Sequence, residues 1–325
     1  MNDLTIPQSL PLLEALCWNI ADPYALSPQD MLSVYETNWQ FLGILGSPNK
    51  NEIEFIKSIS QLYKGLPLVE QIDKKELYSA MTVIFNNLNY ELLADCQVYL
   101  GGGTLVNLQH GQFRYSQDLD FLCNSDGFYR LRERIVNSQN SYIFQANEVL
   151  QVSNARIDRY AIRFPVRVIL DNINQNEIAI KVEIVVEESL PIDAAIYPEG
   201  IKVPCLNAID LVAAKLLANY DRWLDKSKYS RDLIDLAVIR TKGKLPESAF
   251  DKATAAYRLS NSIETSLIEA ITWFQSLPEY RKQCYRQLQI DNSVQIIDGI
   301  DLLATDFGLD LTDRTFIETD FSYLE

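Results

Sequence analysis

The stretch from Gly101 to Phe121 constrains the fold of this chain more than any other, because it joins a glycine turn to a pair of aspartates. A short apolar run leads into three glycines and Thr104, and a helix-length segment then precedes an Asp-Leu-Asp-Phe strand. Glycine lets a backbone approach phosphate closely, and the exposed N–H groups of a following helix start favour anions. Gly102–Thr104 is therefore a candidate phosphate-binding loop, in which Thr104 bonds a phosphate oxygen, caps the helix, or does both.

Asp118 and Asp120 are expected on one face of the strand that follows, since strand side chains alternate between faces. Two adjacent carboxylates repel each other, and a divalent cation relieves that repulsion. A pair of hard oxygen ligands suits Mg²⁺ bound together with substrate phosphates. A glycine turn or an Asp-x-Asp alone is weak evidence, but in this order they indicate phosphoryl or nucleotidyl transfer.

The motifs GGGT and RYSQDLDF also resemble those of a known family, the nucleotidyltransferase-fold toxins of the AbiEii or MenT type. Their usual pattern is GGT, a helix, then R-x-S-x-DLDF. The matching residues are Gly102, Gly103, Thr104, Arg114, Ser116, Asp118, Leu119, Asp120 and Phe121. DLVAAKLLANYDR and SRDLIDL resemble the family's later motifs, so the resemblance covers roughly residues 76–240.

The resemblance implies an α/β (α+β) fold with a mixed-sheet nucleotidyltransferase core. It implies an NTP substrate, with Arg114 and Ser116 assigned to nucleotide binding beside Gly102–Thr104. It also implies a toxin of a toxin–antitoxin pair, with tRNA as one candidate acceptor and an antitoxin protein as a candidate partner.

Lys215 lies in a predicted helix that is capped at Asn207, and it shares a face with Arg222, two turns further along. A lysine among apolar neighbours is costly to bury without a partner. A phosphate is one candidate partner, and Asp232 or Asp235 is another. The resemblance implies that Lys215 and Asp232 are needed for activity, and an internal Lys–Asp pair with an architectural role is the alternative.

Two predicted strands lie between these motifs. The first, over 159–170, alternates apolar residues with Arg159, Arg163 and Arg167, which either bind triphosphate or an RNA backbone or form a solvated face. On the second, Glu183 takes by sequence order the place of the third carboxylate that the wider nucleotidyltransferase fold uses. Because that residue is usually Asp, we assign Glu183 an auxiliary role as base or metal support, with a structural role as the alternative.

The flanks are predicted to be helical additions to the core. Residues 1–75 form a packing or interaction module, 76–240 the nucleotidyltransferase core, and 241–325 a helical module with an acidic end. A single long helix is predicted over 74–95, from its apolar stripe.

The net charge of −15 argues against a nucleic-acid partner when the chain is taken whole. Residues 1–36 and 291–325 together account for −13 of it, so a local basic site remains open in the middle. The five cysteines have no paired spacing, and a single histidine argues against a histidine-based triad. No apolar run reaches membrane-spanning length and no signal-peptide pattern is seen, which favours a cytoplasmic protein without a membrane partner.

The sequence thus predicts transfer of an NMP group from an NTP to an acceptor, with Mg²⁺ on Asp118 and Asp120. Lys215 is expected to neutralise charge on the triphosphate, and Asp232 to position Lys215 or the acceptor. Three alternatives stay open: a nucleotidyltransferase that modifies proteins, a catalytically silent nucleotide-binding module, and a pure interaction protein.

Overall fold

The computed structural model describes residues 5–18, 20–38, 48–63, 74–138, 143–145, 147–171, 176–257 and 262–314. The strands are β1 (Tyr99–Leu100), β2 (Leu119–Cys123), β3 (Leu150–Val152), β4 (Arg156–Ile157), β5 (Ala161–Asp171) and β6 (Asn176–Val186). The helices are α1 (Pro11–Leu16), α2 (Pro28–Asn38), α3 (Lys50–Leu62), α4 (Lys74–Asn87), α5 (Tyr90–Asp95), α6 (Gly102–Gln109), α7 (Ser125–Ser138), α8 (Ala208–Arg222), α9 (Arg231–Arg240), α10 (Glu247–Ala256), α11 (Ile263–Ser276), α12 (Pro278–Gln287) and α13 (Ser293–Asp306). None of the helices in these ranges is long and apolar enough to cross a membrane.

The strands form one mixed sheet in the order β1-β2-β6-β5-β3, and β4 also pairs with β5. β2 and β6 run parallel, whereas the other neighbouring strands are antiparallel. This mixed sheet with its helices confirms the predicted fold class. The parallel pair sets Asp120 in register with Glu183, so two residues far apart in sequence become direct neighbours.

One face of the sheet is apolar and covered by helices. Along β5, Ile162, Phe164 and Val166 are fully buried, while the residues between them are half-buried. α4 packs on β5 and β6, and α7 packs on β6. The opposite face carries the half-buried Asp120 and Glu183, so the hydrophobic core fixes the strands that present the polar site.

The single long helix predicted over 74–95 is wrong, because the structure divides it into α4 and α5. The backbone N–H of Asn89 donates to the carbonyl of Ile143 at 2.8 Å, outside the helix. The Asn89 side chain then accepts the N–H of Leu92 at 3.0 Å and caps α5. A tertiary hydrogen bond and a new cap therefore replace helical continuity.

Within the described ranges, the buried apolar residues form two clusters. One lies within the N-terminal helices, from Leu10 to Ile59, around a buried Glu52 that accepts two backbone N–H groups of α1 and the Tyr35 hydroxyl at 2.8 to 3.0 Å. The other runs from Leu77 to Ala304 and joins the sheet to α8–α13. The boundaries near residues 75 and 240 stay predictions, and 315–325 of the acidic end lies outside the described residues.

Candidate active site

The predicted Asp pair lies at the start of β2. Asp118 immediately precedes the strand and Asp120 is its second residue, while Leu119 and Phe121 are buried on the other face. The side chain of Asp118 is 43% exposed, and Asp120 is half-buried. The two carboxylates therefore share the polar side of the strand, with the alternation that the sequence predicts.

The pair is short of compensating positive charge. Burial, and then the charge of Asp118, raise the pKa of Asp120 to about 6, against the opposing charges of Lys181 and Arg231. The Lys181 ammonium lies 3.5 Å from an oxygen of Asp118. A second cation at this position would relieve the remaining repulsion.

The donor chemistry of the pair fits a hard divalent cation. Among the residues that the structure describes, no three or more His, Cys, Asp or Glu side chains are grouped to hold a metal ion. A metal here would take Asp118 and Asp120 as its protein ligands and complete its shell with water and phosphate oxygens. That division of ligands is the usual one for Mg²⁺ in phosphate-binding sites.

The glycine loop packs directly against these carboxylates. α6 begins at Gly102 with Gly101 as its N-cap, so the expectation that Thr104 caps this helix is wrong, because Thr104 lies within the first turn. Gly102 has a φ of +64°, and a Cβ there would lie 2.7 Å from an Asp120 carboxylate oxygen. At Gly103 a Cβ would lie 2.1 Å from the guanidinium of Arg114. Both positions require glycine because of their close contacts within the protein.

Thr104 and Ser116 hold the segment that leads to Asp118. Thr104 is fully buried, and its hydroxyl lies 2.5 Å from the Asp118 carbonyl and 3.0 Å from the Ser116 hydroxyl. A hydroxyl has one proton to donate, and the carbonyl is its closer acceptor. The Thr104 side chain is thus used within the protein, in a contact that fixes the backbone beside the Asp pair.

Glu183 lies next to Asp120 but is already paired. One carboxylate oxygen accepts from Arg163 at 2.5 Å, and the other accepts from Lys181 at 2.9 Å. Burial alone would raise the pKa of Glu183, but the charges of Lys181 and Arg163 lower it. A carboxylate with a lowered pKa is a weak base, so this geometry favours a supporting role.

Lys215 and Asp232 meet in a buried ionic cluster between α8 and α9. The Lys215 ammonium lies 3.0 Å from Asp232 and 2.6 Å from Asp235. Arg222 donates two hydrogen bonds to Asp232, at 2.6 and 2.9 Å. Burial would raise the pKa of Asp232, but the charges of Lys215 and Arg222 hold it below its usual range.

Arg114 ties this cluster to the loop before β2. Its guanidinium donates to both oxygens of Asp235, at 2.6 and 2.7 Å, and to the carbonyl of Tyr115 at 2.8 Å. Arg114 is 3% exposed. The motif gave no sign of this pairing, because its two partners are 121 residues apart.

The arginines predicted on one strand face are engaged with acids or an aromatic ring. Arg163 pairs with Asp158 at 2.5 Å as well as with Glu183, and Arg167 lies 3.4 Å from Glu177. The third, Arg159, precedes β5 and its guanidinium lies 5.2 Å from the centre of the Tyr160 ring. Arg163 and Arg167 are thus at least partly neutralised within the sheet.

A cavity of about 600 Å³ lies at the other end of β2. Tyr99, Asn124, Asp126, Glu187 and Leu190 are among its lining residues, and the Asp pair is not. This cavity is therefore separate from the site at Asp118 and Asp120.

The comparisons with known proteins can now be set beside this geometry. A family model described as "Nucleotidyl transferase AbiEii toxin, Type IV TA system" matches residues 89–291. The chain belongs to this family. The match spans both the Asp pair of β2 and the ionic cluster of α8 and α9, and it confirms the resemblance drawn from the sequence motifs. This chain is thus a member of a nucleotidyltransferase family.

Three solved structures resemble this chain at low identity. JHP933 from Helicobacter pylori is 18% identical, with 72% of this chain and 92% of that chain covered and a TM-score of 0.41. A putative nucleotidyltransferase from H. pylori is 19% identical, with 72% and 95% covered and a TM-score of 0.41. An antigenic nucleotidyltransferase-like protein from Paracoccidioides brasiliensis is 14% identical, with 64% and 93% covered and a TM-score of 0.39. No curated protein matches the chain.

Proposed function

We propose that this AbiEii-family chain transfers an NMP group from an NTP to an acceptor hydroxyl, with Asp118 and Asp120 as the ligands of Mg²⁺. The acceptor oxygen bonds to the α-phosphorus, the bond from that phosphorus to the β-phosphate oxygen breaks, and pyrophosphate leaves. The hydroxyl proton passes to solvent. The observation that carries the proposal is the placement of Asp118 and Asp120 on the polar side of β2, directly against the glycine loop that starts α6.

Mg²⁺, when bound to the pair, would neutralise phosphate charge and orient the phosphates toward the acceptor. The chain's own contribution is to hold two carboxylates together against their repulsion. Lys181 contacts Asp118 from one side, and the Thr104 hydroxyl holds the Asp118 carbonyl from the other. Glu183 keeps Lys181 in place through its hydrogen bond of 2.9 Å.

The start of α6 would seat a phosphate group beside Asp120. No side chain caps the N-terminus of this helix, and the N–H groups of a first helical turn have no partner within the helix. Such groups favour anions. We assign the backbone of Gly102, Gly103 and Thr104 to this contact, while the hydroxyls of Thr104 and Ser116 shape the loop.

Lys215, Asp232 and Arg114 act behind this surface as positioning residues. Lys215 pairs with Asp232 and with Asp235, and Asp235 in turn pairs with Arg114, so these contacts join α8 and α9 to the loop before β2. The position of Asp118 therefore depends on the ionic cluster. Loss of Lys215 or Asp232 is expected to reduce transfer by moving that loop.

The acceptor and the biological role are extended from the family. We propose tRNA as the acceptor and a toxin role with an antitoxin protein as partner. Two alternatives remain: the acceptor is a protein side chain, or the chain binds nucleotides without turnover. The following test separates both from transfer to tRNA.

Purified protein is incubated with each α-labelled NTP, Mg²⁺, total tRNA and cell protein. Label on tRNA is expected from the wild type and not from Asp118→Asn. Asp126→Asn, which removes an exposed acid on α7, is the matched control and should label normally. Label on protein would replace the tRNA acceptor, and equal label from wild type and Asp118→Asn would end the catalytic assignment.

A further inference from the structure

The buried ionic cluster carries more positive than negative charge. Arg114, Lys215 and Arg222 are the cations, and Asp232 and Asp235 are the carboxylates that they share. The sum is one uncompensated positive charge in a largely buried place. Buried charge is costly unless it is paired, so the excess calls for an anion.

Arg231 adds a second uncompensated charge. It is the first residue of α9 and is half-buried, and among the described residues its guanidinium has no hydrogen-bond or ion-pair partner. Burial and the neighbouring charge of Arg222 lower the pKa of Arg231, while Asp232 and Asp120 act in the opposite direction. A half-buried guanidinium without such a partner favours the binding of an anion.

Lys228 brings a third cation to the same place, from the 3₁₀ turn Lys226–Lys228 between α8 and α9. It is half-buried, and burial and the charge of Arg231 lower its pKa. Arg222, whose side chain is 32% exposed, also acts on it. Like charges held together in this way repel one another, and a multivalent anion removes that repulsion.

Two of these cations lie close enough to the Asp pair to interact with it. Asp120 is within electrostatic range of both Arg231 and Arg222. Lys215 is not available in the same way, because its ammonium contacts two carboxylates and the residue is 5% exposed. The role predicted for Lys215, neutralising the triphosphate, therefore suits its half-buried neighbours better.

Two buried polar groups on α8 and the turn after it also lack hydrogen-bond partners among the residues that the structure describes. The Asn219 amide nitrogen and the Ser227 hydroxyl make no hydrogen bond, although these residues are only 2% and 7% exposed. Asn219 lies one turn from Lys215 and Arg222 on the same face of α8. Unsatisfied buried donors of this kind are rare in folded proteins.

We propose that Arg222, Lys228 and Arg231 form a polyphosphate-binding site for the nucleotide, an inference that rests on the proposed transfer from an NTP. Three cations match the charge of a triphosphate chain, and the nearness of Arg222 and Arg231 to Asp120 allows one ligand to reach both the cations and the Asp pair. Guanidinium groups suit phosphate through paired hydrogen bonds. Arg231 is the decisive residue, because it alone of the three has no partner among the described residues.

Calorimetric titration with inorganic triphosphate in EDTA tests the site without metal or turnover. R231Q should bind at least tenfold more weakly than wild type, and R231K should recover part of the loss. R132Q, which removes an exposed arginine on α7, should bind like wild type. R231Q should melt at the wild-type temperature or above it, since it removes a half-buried unpaired charge.

The other outcomes separate the site from the proposed reaction. Loss of triphosphate binding in R231Q, with no NMP transfer by wild type, would support the site and end the reaction. Active wild type with an unchanged KM for NTP in R231Q would overturn the site and leave the reaction standing. Failure of wild type to bind triphosphate with or without Mg²⁺, or a melting temperature several degrees lower in R231Q, would also overturn the site.

Discussion

The two aspartate pairs of this molecule belong to one region but have opposite electrostatic surroundings. Asp118 and Asp120 stand at the start of β2, and burial together with their mutual repulsion raises the pKa of Asp120 to about 6. Asp232 and Asp235 lie on α9, and both contact Lys215 at 3.0 Å or less. Burial would raise the pKa of Asp232, but the neighbouring cations lower it.

The difference teaches that the supply of cations, and not residue type, separates ligand-binding from structural carboxylates. The strand pair, Asp118 and Asp120, is short of positive charge, so an added cation would stabilise it. The helix pair, Asp232 and Asp235, is surrounded by a surplus of positive charge and holds basic side chains in place. Removing one partner of a buried ion pair is costly, whereas removing one of two repelling charges is not. The two pairs should therefore respond to substitution in opposite ways.

The largest effect is expected at the strand pair and on activity. Asp120→Asn should lower NMP transfer on the order of a thousandfold, which corresponds to about 4 kcal/mol of transition-state stabilisation. Its free energy of unfolding should not fall, because the substitution removes a repulsion. Transfer of labelled NMP and urea unfolding measure the two quantities on the same preparation.

The Mg²⁺- and NTP-dependent thermal shift supplies the control for Asp120→Asn. It should weaken in this variant and persist in Asp126→Asn. A variant that transfers normally, or one that unfolds several kcal/mol more easily, would show that Asp120 is structural and would remove the contrast between the pairs.

The helix pair should show the reverse, a large loss of stability. Asp235→Asn leaves Arg114 and Lys215 without their shared carboxylate, and breaking such a buried pair costs roughly 3–5 kcal/mol. The matched control is Glu279→Gln, which breaks an exposed pair with Lys282 and should cost about 1 kcal/mol or less. Urea unfolding distinguishes the two, and equal values would mean that the cluster does not stabilise the fold.

Sequence reasoning predicted the strand pair well because its signals are local. Alternation places Asp118 and Asp120 on one face, and the capped helix at Asn207 was visible from its own residues. The shared face of Lys215 and Arg222 likewise follows from helical spacing, and both side chains do contact Asp232.

The roles of buried groups were harder to predict, because they depend on partners far away in sequence. The motif assigned Arg114 to the nucleotide, but its guanidinium is held by Asp235. Gly103 seemed a phosphate contact, but it also makes room for Arg114. A motif records which residues a site needs, and it does not say which of them face the ligand.

A smaller effect is expected from Gly102→Ala, which tests how closely the loop packs on the strand pair. Gly102 and Gly111 both have positive φ, but only at Gly102 would a Cβ meet a neighbour, Asp120, at 2.7 Å. Each alanine should cost about 1–2 kcal/mol for its left-handed backbone. Gly102→Ala alone should also lose transfer, because it displaces Asp120. Equal activity of the two variants would argue against contact between the loop and Asp120, the proposed metal ligand.

The smallest effect, absent near neutral pH, concerns the acid response of the helix pair. The pKa of Asp232 is lowered in the folded state, so the stability it contributes is present above its unfolded pKa of about 3.9 and is lost as pH falls below that value. Between the two pKa values the unfolded chain binds one more proton, which adds about 1.4 kcal/mol per pH unit to the slope of stability. Asp232→Asn should lack this part of the slope in urea unfolding between pH 4 and 3, while other carboxylates contribute equally to both proteins. Parallel slopes would mean that the surplus of cations around Asp232 does not bias its protonation, and the contrast with Asp120 would then rest on geometry alone.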